Sequence, residues 1–172
     1  MTPLYTLNML EGLDKIGWAK IRHAYGPATD TPVLIRELLA YDTPMKDDPE
    51  RHPIHQLWAT VNHQGDITEA LSYTVPFLME LLASKAVGCK KESLSFLLKA
   101  VTNIERLDKG FIYWEDDPEL FTAPGHKTRK NILRMLPSIY YLLDHNDRRL
   151  RQLTRELISR FPEVADSPIP DQ

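Results

Sequence analysis

Three segments of the chain share a proline followed by apolar residues at fixed positions, and this pattern limits the possible fold more than any other feature. They read TPVLIRELL from Thr31, VPFLMELL from Val75 and LPSIYYLL from Leu136. The second and sixth positions after each proline are apolar in all three segments, and the prolines are 44 and 61 residues apart. A period of roughly 40 residues is typical of helix pairs stacked in a solenoid.

Apolar residues recur at helical spacing through most of the chain, and no strand-type alternation accompanies them, so we predict an all-α protein. The predicted helices cover residues 7–24, 31–40, 49–62, 67–84, 91–107, 127–144 and 148–161. Residues 108–125 lack a helical stripe, and we interpret them as an insertion that lengthens the second interval. The prediction is a HEAT-like α-solenoid of about three helical hairpins plus a closing C-terminal helix.

The chain length fits one domain with a substantial core. We expect a single helical domain over residues 1–161 and a disordered, proline-rich tail over residues 162–172. Pro32 fits the first turn of a helix, where a missing N–H costs little. Pro76 and Pro137 fall inside longer apolar runs, so each is expected to kink or restart its helix.

Two connectors combine histidine with glycine: HAYGPATD at residues 23–30 and NHQGD at residues 62–66. Part of each is explained by turn chemistry. Gly65 can take the left-handed conformation that ends a helix, and Asp66 with Glu69 resembles a capping box. Asp30 or Thr31 is expected to cap the following helix.

Equivalent connectors of a solenoid stack along one edge, so the remaining connector side chains should lie close together. These are His23, Tyr25, Asp30, His63 and Gln64. Two interpretations stay open for them. They bond free carbonyl groups at helix ends, or they contact a binding partner.

The insertion places aromatic and acidic residues side by side at the same predicted edge. They are Tyr113, Trp114, Glu115, Asp116 and Asp117. Aromatic residues are common anchors of protein interfaces, and the acids favour a positively charged partner. The alternative is a loop whose aromatic rings pack inward and whose acids are solvated.

Basic and acidic residues are distributed unevenly along the chain. Residues 1–126 contain 12 Lys or Arg and 18 Asp or Glu, whereas residues 127–172 contain 9 and 6. The basic C-terminal helices favour an alternative function, in which a HEAT-like protein binds nucleic acid or modifies a base. The net charge of −3 argues against a dedicated nucleic-acid binder.

No reaction centre is identifiable, so we expect a protein that is not an enzyme and uses no cofactor. There is no glycine-rich phosphate loop and no cysteine pair. His52 and His55 share a helix face, but His63 is about 12 Å farther along at 1.5 Å per residue, so no metal site is predicted. The single cysteine, Cys89, and the lack of a membrane-length apolar run favour the cytoplasm.

The segments HAYGPATDTPVLIREL and NHQGDITEALSYTVPFLMELL resemble a family of bacterial HEAT-like repeat proteins. The resemblance covers about residues 18–84, under half of the chain. The matching positions are His23, Tyr25, Gly26, Ala28, Asp30, Pro32, His63, Gln64, Gly65, Ala70, Pro76, Phe77 and Leu78. It implies a HEAT-like scaffold without a known reaction, and nothing about the 108–125 insertion.

Some small HEAT-like proteins act as immunity proteins that neutralise bacterial toxins. That association follows from size and architecture, and no motif of this chain carries it. The leading expectation is therefore a non-enzymatic protein–protein interaction module, with a basic toxin domain as the candidate partner and no membrane contact.

Overall fold

The helices of the protein follow the apolar stripes of its sequence. The computed structural model describes residues 9–41, 45–85, 88–110 and 119–165. Its α-helices are α1 (Thr31–Glu37), α2 (Pro53–Val61), α3 (Glu69–Ala83), α4 (Lys90–Asp108), α5 (Glu119–Met135), α6 (Arg148–Ser159) and α7 (Pro162–Ala165). The prediction of a mostly helical protein is confirmed.

Helices that are separated by one helix in the chain pack against each other. α3 contacts both α1 and α5, and α4 contacts both α2 and α6. Consecutive helices also touch, as α1 does with α2 and α3 with α4. Two of the proline-containing repeat segments are therefore in contact, through α1 and α3.

The first predicted helix, over residues 7–24, is wrong. Its described part contains two 3₁₀ turns, Leu13–Lys15 and Trp18–Lys20. Leu10 has a φ of +66°, which a right-handed helix does not contain. Its backbone N–H instead donates to Glu80 Oε1 of α3 at 2.8 Å. The apolar stripe correctly marked buried residues, but an irregular chain buries them.

A short antiparallel β-hairpin follows, inside the segment that was predicted to be helical, and the protein remains mostly helical. Strand β1 (Arg22–His23) pairs with β2 (Gly26–Pro27). Gly26 has a φ of +129°, a conformation that glycine adopts without steric cost. Strands of two residues are too short to produce a detectable alternation of polar and apolar residues.

α3 runs through Pro76 without restarting. Because proline has no N–H, it leaves the carbonyl four residues earlier, that of Ser72, without its helical donor. Asn131 of α5 donates its side-chain N–H to this carbonyl at 3.0 Å. A side chain of the neighbouring helix thus satisfies the group that Pro76 leaves free.

α5 begins inside the segment that was interpreted as a non-helical insertion. Residues 119–125 form its first turns. Gly125 lies against α4, where an added Cβ would stand 3.6 Å from the Ile104 side chain. Close packing against α4 therefore accompanies the first turns of α5, residues 119–125, which lack an apolar stripe.

Two further differences lie near the C-terminus. The predicted helix 127–144 is divided in two, because α5 ends at Met135 and a 3₁₀ helix covers Leu136–Asp144; this division agrees with the restart expected at Pro137. In the predicted tail, Pro162–Ala165 form the short helix α7. Residues 166–172 lie outside the described residues.

The buried apolar side chains form one cluster that extends from the N-terminal 3₁₀ turns to the end of α6. Phe96 of α4 and Phe161 after α6 are among its largest fully buried members. None of the helices in the described ranges is long and apolar enough to cross a lipid bilayer. The polar groups discussed below lie where this core meets the ends of α2 and α4.

Candidate functional site

The turn of the β-hairpin lies against the C-terminal end of α2. Ala24 donates its backbone N–H to the Thr60 carbonyl at 3.0 Å. His63 donates from Nδ1 to the Ala59 carbonyl at 2.9 Å. The last carbonyl groups of a helix have no donor within the helix, so the hairpin and the 62–66 connector together cap α2.

The start of α3 completes this arrangement and corrects the predicted capping box. The residue that precedes α3 is Thr68, and Asp66 lies two residues earlier. The Thr68 hydroxyl donates to the Val61 carbonyl at 2.7 Å. Glu69 accepts the backbone N–H of Arg22 at 3.3 Å and therefore holds the hairpin instead of capping its own helix.

His23 uses both ring nitrogens within this end of the molecule. Its Nδ1 accepts the Tyr25 backbone N–H at 3.0 Å, so the proton of the neutral ring is on Nε2. Nε2 donates to Asp30 Oδ1 at 2.9 Å, and the two side chains are 6% and 51% exposed. The carboxylate–imidazole pair leaves no nitrogen to accept a substrate proton. Asp30 precedes α1 but its side chain makes no capping hydrogen bond.

Tyr25 is 67% exposed and is nevertheless held on two sides. Its hydroxyl lies 3.3 Å from His63 Nδ1, and its ring meets the His63 ring edge-on at a centroid distance of 5.2 Å. The His23 ring also meets the Tyr25 ring edge-on, at a centroid distance of 6.3 Å. The hairpin therefore presents an aromatic side chain to solvent in a fixed position.

Gln64 follows His63 in an unusual backbone conformation. It has a φ of +50° and is exposed, and this left-handed region costs a residue other than glycine about 1 kcal/mol. Gly65 has a φ of +103°, as predicted for the end of the connector. This conformation directly follows His63, which bonds the Ala59 carbonyl of α2.

The structure joins four of the predicted site residues by hydrogen bonds, two in the β-hairpin and its turn, one before α1 and one in the connector between α2 and α3. They are His23, Tyr25, Asp30 and His63. The five predicted residues of the insertion lie outside the described residues. They are Tyr113, Trp114, Glu115, Asp116 and Asp117.

A second histidine, His52, closes the opposite end of α2. Its Nδ1 accepts the Ile54 backbone N–H at 3.2 Å, and its ring packs edge-on against Tyr41 at a centroid distance of 4.7 Å. The side chain is 0% exposed. Burial lowers the pKa of His52, while the charge of Glu92 opposes this shift and that of His55 adds to it. Within the described ranges, no three His, Cys, Asp or Glu side chains gather to hold a metal ion.

A cavity of about 330 Å³ lies between the start of α4 and the chain that leads into α6. Its lining residues are Lys85, Lys90, Tyr141, Asp144, His145 and Asn146. Lys90 is only 6% exposed, and burial lowers the pKa of its ammonium group while neighbouring Cys89 opposes the shift. Sequence reasoning missed this cavity, although Lys90 lies one helical turn before Leu94 on the buried face of α4.

These two regions differ in what they offer chemically. The hairpin end presents a rigid aromatic ring, and the cavity presents a buried cation. In the part of the chain that the structure describes, neither region pairs a nucleophile with a free base. No family model, curated protein or solved structure matches the chain.

Proposed function

We propose that the protein is a non-enzymatic protein-binding module that contacts its partner through Tyr25 at the hairpin end. The observation that carries this proposal is the combination of exposure and order at this one side chain. Tyr25 is 67% exposed, yet its backbone N–H and its hydroxyl both have partners. Tyrosine is enriched among the residues that dominate binding energies.

A fixed aromatic side chain favours binding because less conformational entropy is lost when the complex forms. Ordering a mobile side chain at an interface costs about 0.5–1.5 kcal/mol. Because the contacts with His23 and His63 already order the Tyr25 ring in the free protein, much of this entropy is lost during folding and not on binding. The same contacts give the ring a defined direction, which supports recognition of one particular surface.

The partner that we propose is a basic protein, and toxin neutralisation is the biological role that we propose for the complex. Residues 1–126 have a net charge of −6, from 12 basic and 18 acidic residues. Asp30, beside His23, exposes half of its side chain near Tyr25. An acidic surface speeds the approach of a basic partner and rejects acidic ones.

The proposed scaffold is a HEAT-like α-solenoid. Two rows of contacts support it, one through α1, α3 and α5 and the other through α2, α4 and α6. Helix pairs stacked in a solenoid produce such rows, because each repeat contacts its neighbours. The hairpin then lies at one edge of the stack, as the connectors of a solenoid do.

The state of His23 supports a binding role over a catalytic one. A general base needs a nitrogen that can accept a proton from a substrate. In His23, Nδ1 already accepts from Tyr25 and Nε2 already donates to Asp30. The pair therefore orders the hairpin.

The test first identifies basic proteins encoded beside the gene of this chain and then measures their binding to the wild type and to the variants Tyr25→Ala and Tyr25→Phe. Removal of an aromatic anchor typically costs about 2 kcal/mol, so Tyr25→Ala should weaken affinity roughly 30-fold. Tyr25→Phe keeps the ring and should stay within about threefold. Calorimetric titration gives the affinities, and thermal melting confirms that both variants fold.

Equal affinities for wild-type protein and Tyr25→Ala would contradict the proposal, as would the absence of any binding. Truncation of Val33, which is 52% exposed, provides a control at another exposed apolar side chain. Val33→Ala should leave the affinity within about twofold, because scattered exposed apolar residues are ordinary on protein surfaces.

Nucleic-acid binding is the second candidate, and the exposed cations of α5 and α6 favour it. They are Lys130, Arg134, Arg148, Arg149 and Arg155. Among the described residues, none of these five forms an ion pair with a carboxylate, so they are available for phosphates. Tight, sequence-selective binding of duplex DNA at physiological salt would rank this function first; weak binding that disappears with salt would leave it second.

A further inference from the structure

Lys90 carries a positive charge in a buried position, and no described ion pair balances that charge. Its ammonium group donates to the Ser84 carbonyl at the end of α3. An ammonium has three donors, and a neutral carbonyl does not balance its charge. No described carboxylate forms an ion pair with it, although a buried charge without a partner is costly.

The next residue shows how the same side chain is balanced elsewhere. Lys91 is half-exposed and pairs with Asp147 at 2.7 Å. The hydrogen bond from Lys91 is the main reason why the pKa of Asp147 lies at about 2, with backbone N–H groups of α6 contributing. Two consecutive lysines therefore differ: the exposed one has a carboxylate, and the buried one faces a cavity.

The remaining donors of the cavity point to an anion. His145 accepts the Asp147 backbone N–H on Nδ1 at 3.0 Å, so its proton lies on Nε2 and can be donated. Lys85 adds a second, exposed ammonium to the lining. Three N–H donor groups in the lining of one cavity match the several acceptor oxygens of a phosphate.

We propose that this cavity binds the phosphate group of a small hydroxylated phosphate ester, with Lys90, Lys85 and His145 as its ligands. The cavity volume of about 330 Å³ exceeds what a bare phosphate fills. Asp144 and Asn146 line the same space. A carboxylate in an anion site is explained if it accepts hydrogen bonds from the hydroxyl groups of the ligand.

The test titrates the full chain with inorganic phosphate and with glycerol 3-phosphate, and follows backbone amide shifts by NMR. Both probes should give saturable shifts at the cavity, and the ester should bind more tightly because it also reaches the hydroxyl-binding end. Lys90→Met should weaken both probes at least about tenfold, since it removes a buried charge-assisted hydrogen bond. Equal affinities of the two probes would confirm the phosphate ligands and overturn the hydroxyl-binding role.

Lys99→Met is the matched control, because Lys99 is exposed on the same helix and its loss changes the net charge equally. It should alter affinity less than about twofold, as expected for a charge that is screened and distant. Lys85→Met tests the site at an exposed position where folding is not at risk, and it should weaken both probes.

Two results would overturn the proposal. The first is the absence of saturable shifts with either probe. The second is unchanged affinity in both Lys90→Met and Lys85→Met, with a lower melting temperature in Lys90→Met alone. That second result would show that Lys90 serves only to cap the end of α3.

Discussion

Each end of α2 is closed by a histidine, and the two rings use opposite tautomers. At the N-terminus, His52 Nδ1 accepts a backbone N–H, so the ring proton is on Nε2. At the C-terminus, His63 Nδ1 donates to a carbonyl, so the ring proton is on Nδ1. A helix needs acceptors at its start and donors at its end, and neutral imidazole supplies either one.

Protonation affects the two histidine caps of α2 differently. A protonated ring has two donors and no acceptor. His52 would lose its contact with Ile54, whereas His63 would keep its contact with Ala59. Burial strengthens the difference, because His52 is fully buried and His63 is only partly so. Protonation therefore removes the cap at the N-terminal end of α2.

The largest expected effect comes from removing the buried cap. His52→Ala should lower the free energy of unfolding by about 3 kcal/mol, through the lost cap and the cavity that remains. Urea denaturation measures this change. His55→Ala is the control, since His55 is exposed three residues later, and it should change stability by less than about 0.5 kcal/mol. Equal losses of unfolding free energy in the two variants would show that His52 has no special role as the cap of α2.

The second expected effect is a pH dependence of stability that arises at the N-terminal end of α2. Burial lowers the pKa of folded His52 below its usual value. Its contribution to stability is therefore complete above the unfolded-state pKa of about 6.5 and is lost as the pH falls toward the folded-state value. The slope for one proton is at most about 1.4 kcal/mol per pH unit.

His52→Asn separates titration from capping, because asparagine keeps a capping acceptor and does not titrate. Urea denaturation of this variant between pH 7.5 and 5.5 should show a flatter pH dependence than the wild type. The same slope in the wild type and in His52→Asn would show that His52 is not the acid-sensitive group.

The smallest expected effect lies at the C-terminal end of α2. His63→Ala removes one hydrogen bond to the Ala59 carbonyl and should cost about 1 kcal/mol. Gln64→Ala is its control, because alanine keeps the same left-handed strain and Gln64 is exposed. Thermal melting should therefore show a lower melting temperature for the first variant only. A loss in Gln64→Ala of the same size would assign the effect to the backbone of the connector.

The sequence predicted most helices because their apolar faces repeat at helical spacing. α3 and α4 match their predicted bounds within two residues. The first segment failed because Leu10 bends the backbone and the β-strands are too short to show a pattern. Periodicity reports which residues are buried, and in an irregular segment it does not report the element that buries them.

Part of the candidate site was also within reach of sequence reasoning. The repeat placed the two histidine connectors together, and His23 and His63 do lie on either side of Tyr25. The tautomers and the carbonyl partners were not predictable, since they depend on contacts between distant segments such as Ala24 with Thr60. Lys90 was missed because a lysine at the start of a helix is ordinarily solvated.

The proline inside α3 also determines how two helices align. It leaves the buried Ser72 carbonyl needing a donor, and Asn131 of α5 supplies one. If α5 slid by one turn along α3, this carbonyl would lose its partner at a cost of about 1–3 kcal/mol. The free carbonyl that Pro76 creates and the Asn131 side chain therefore select one alignment of α5 along α3. Apolar packing without this hydrogen bond would specify that alignment less strongly.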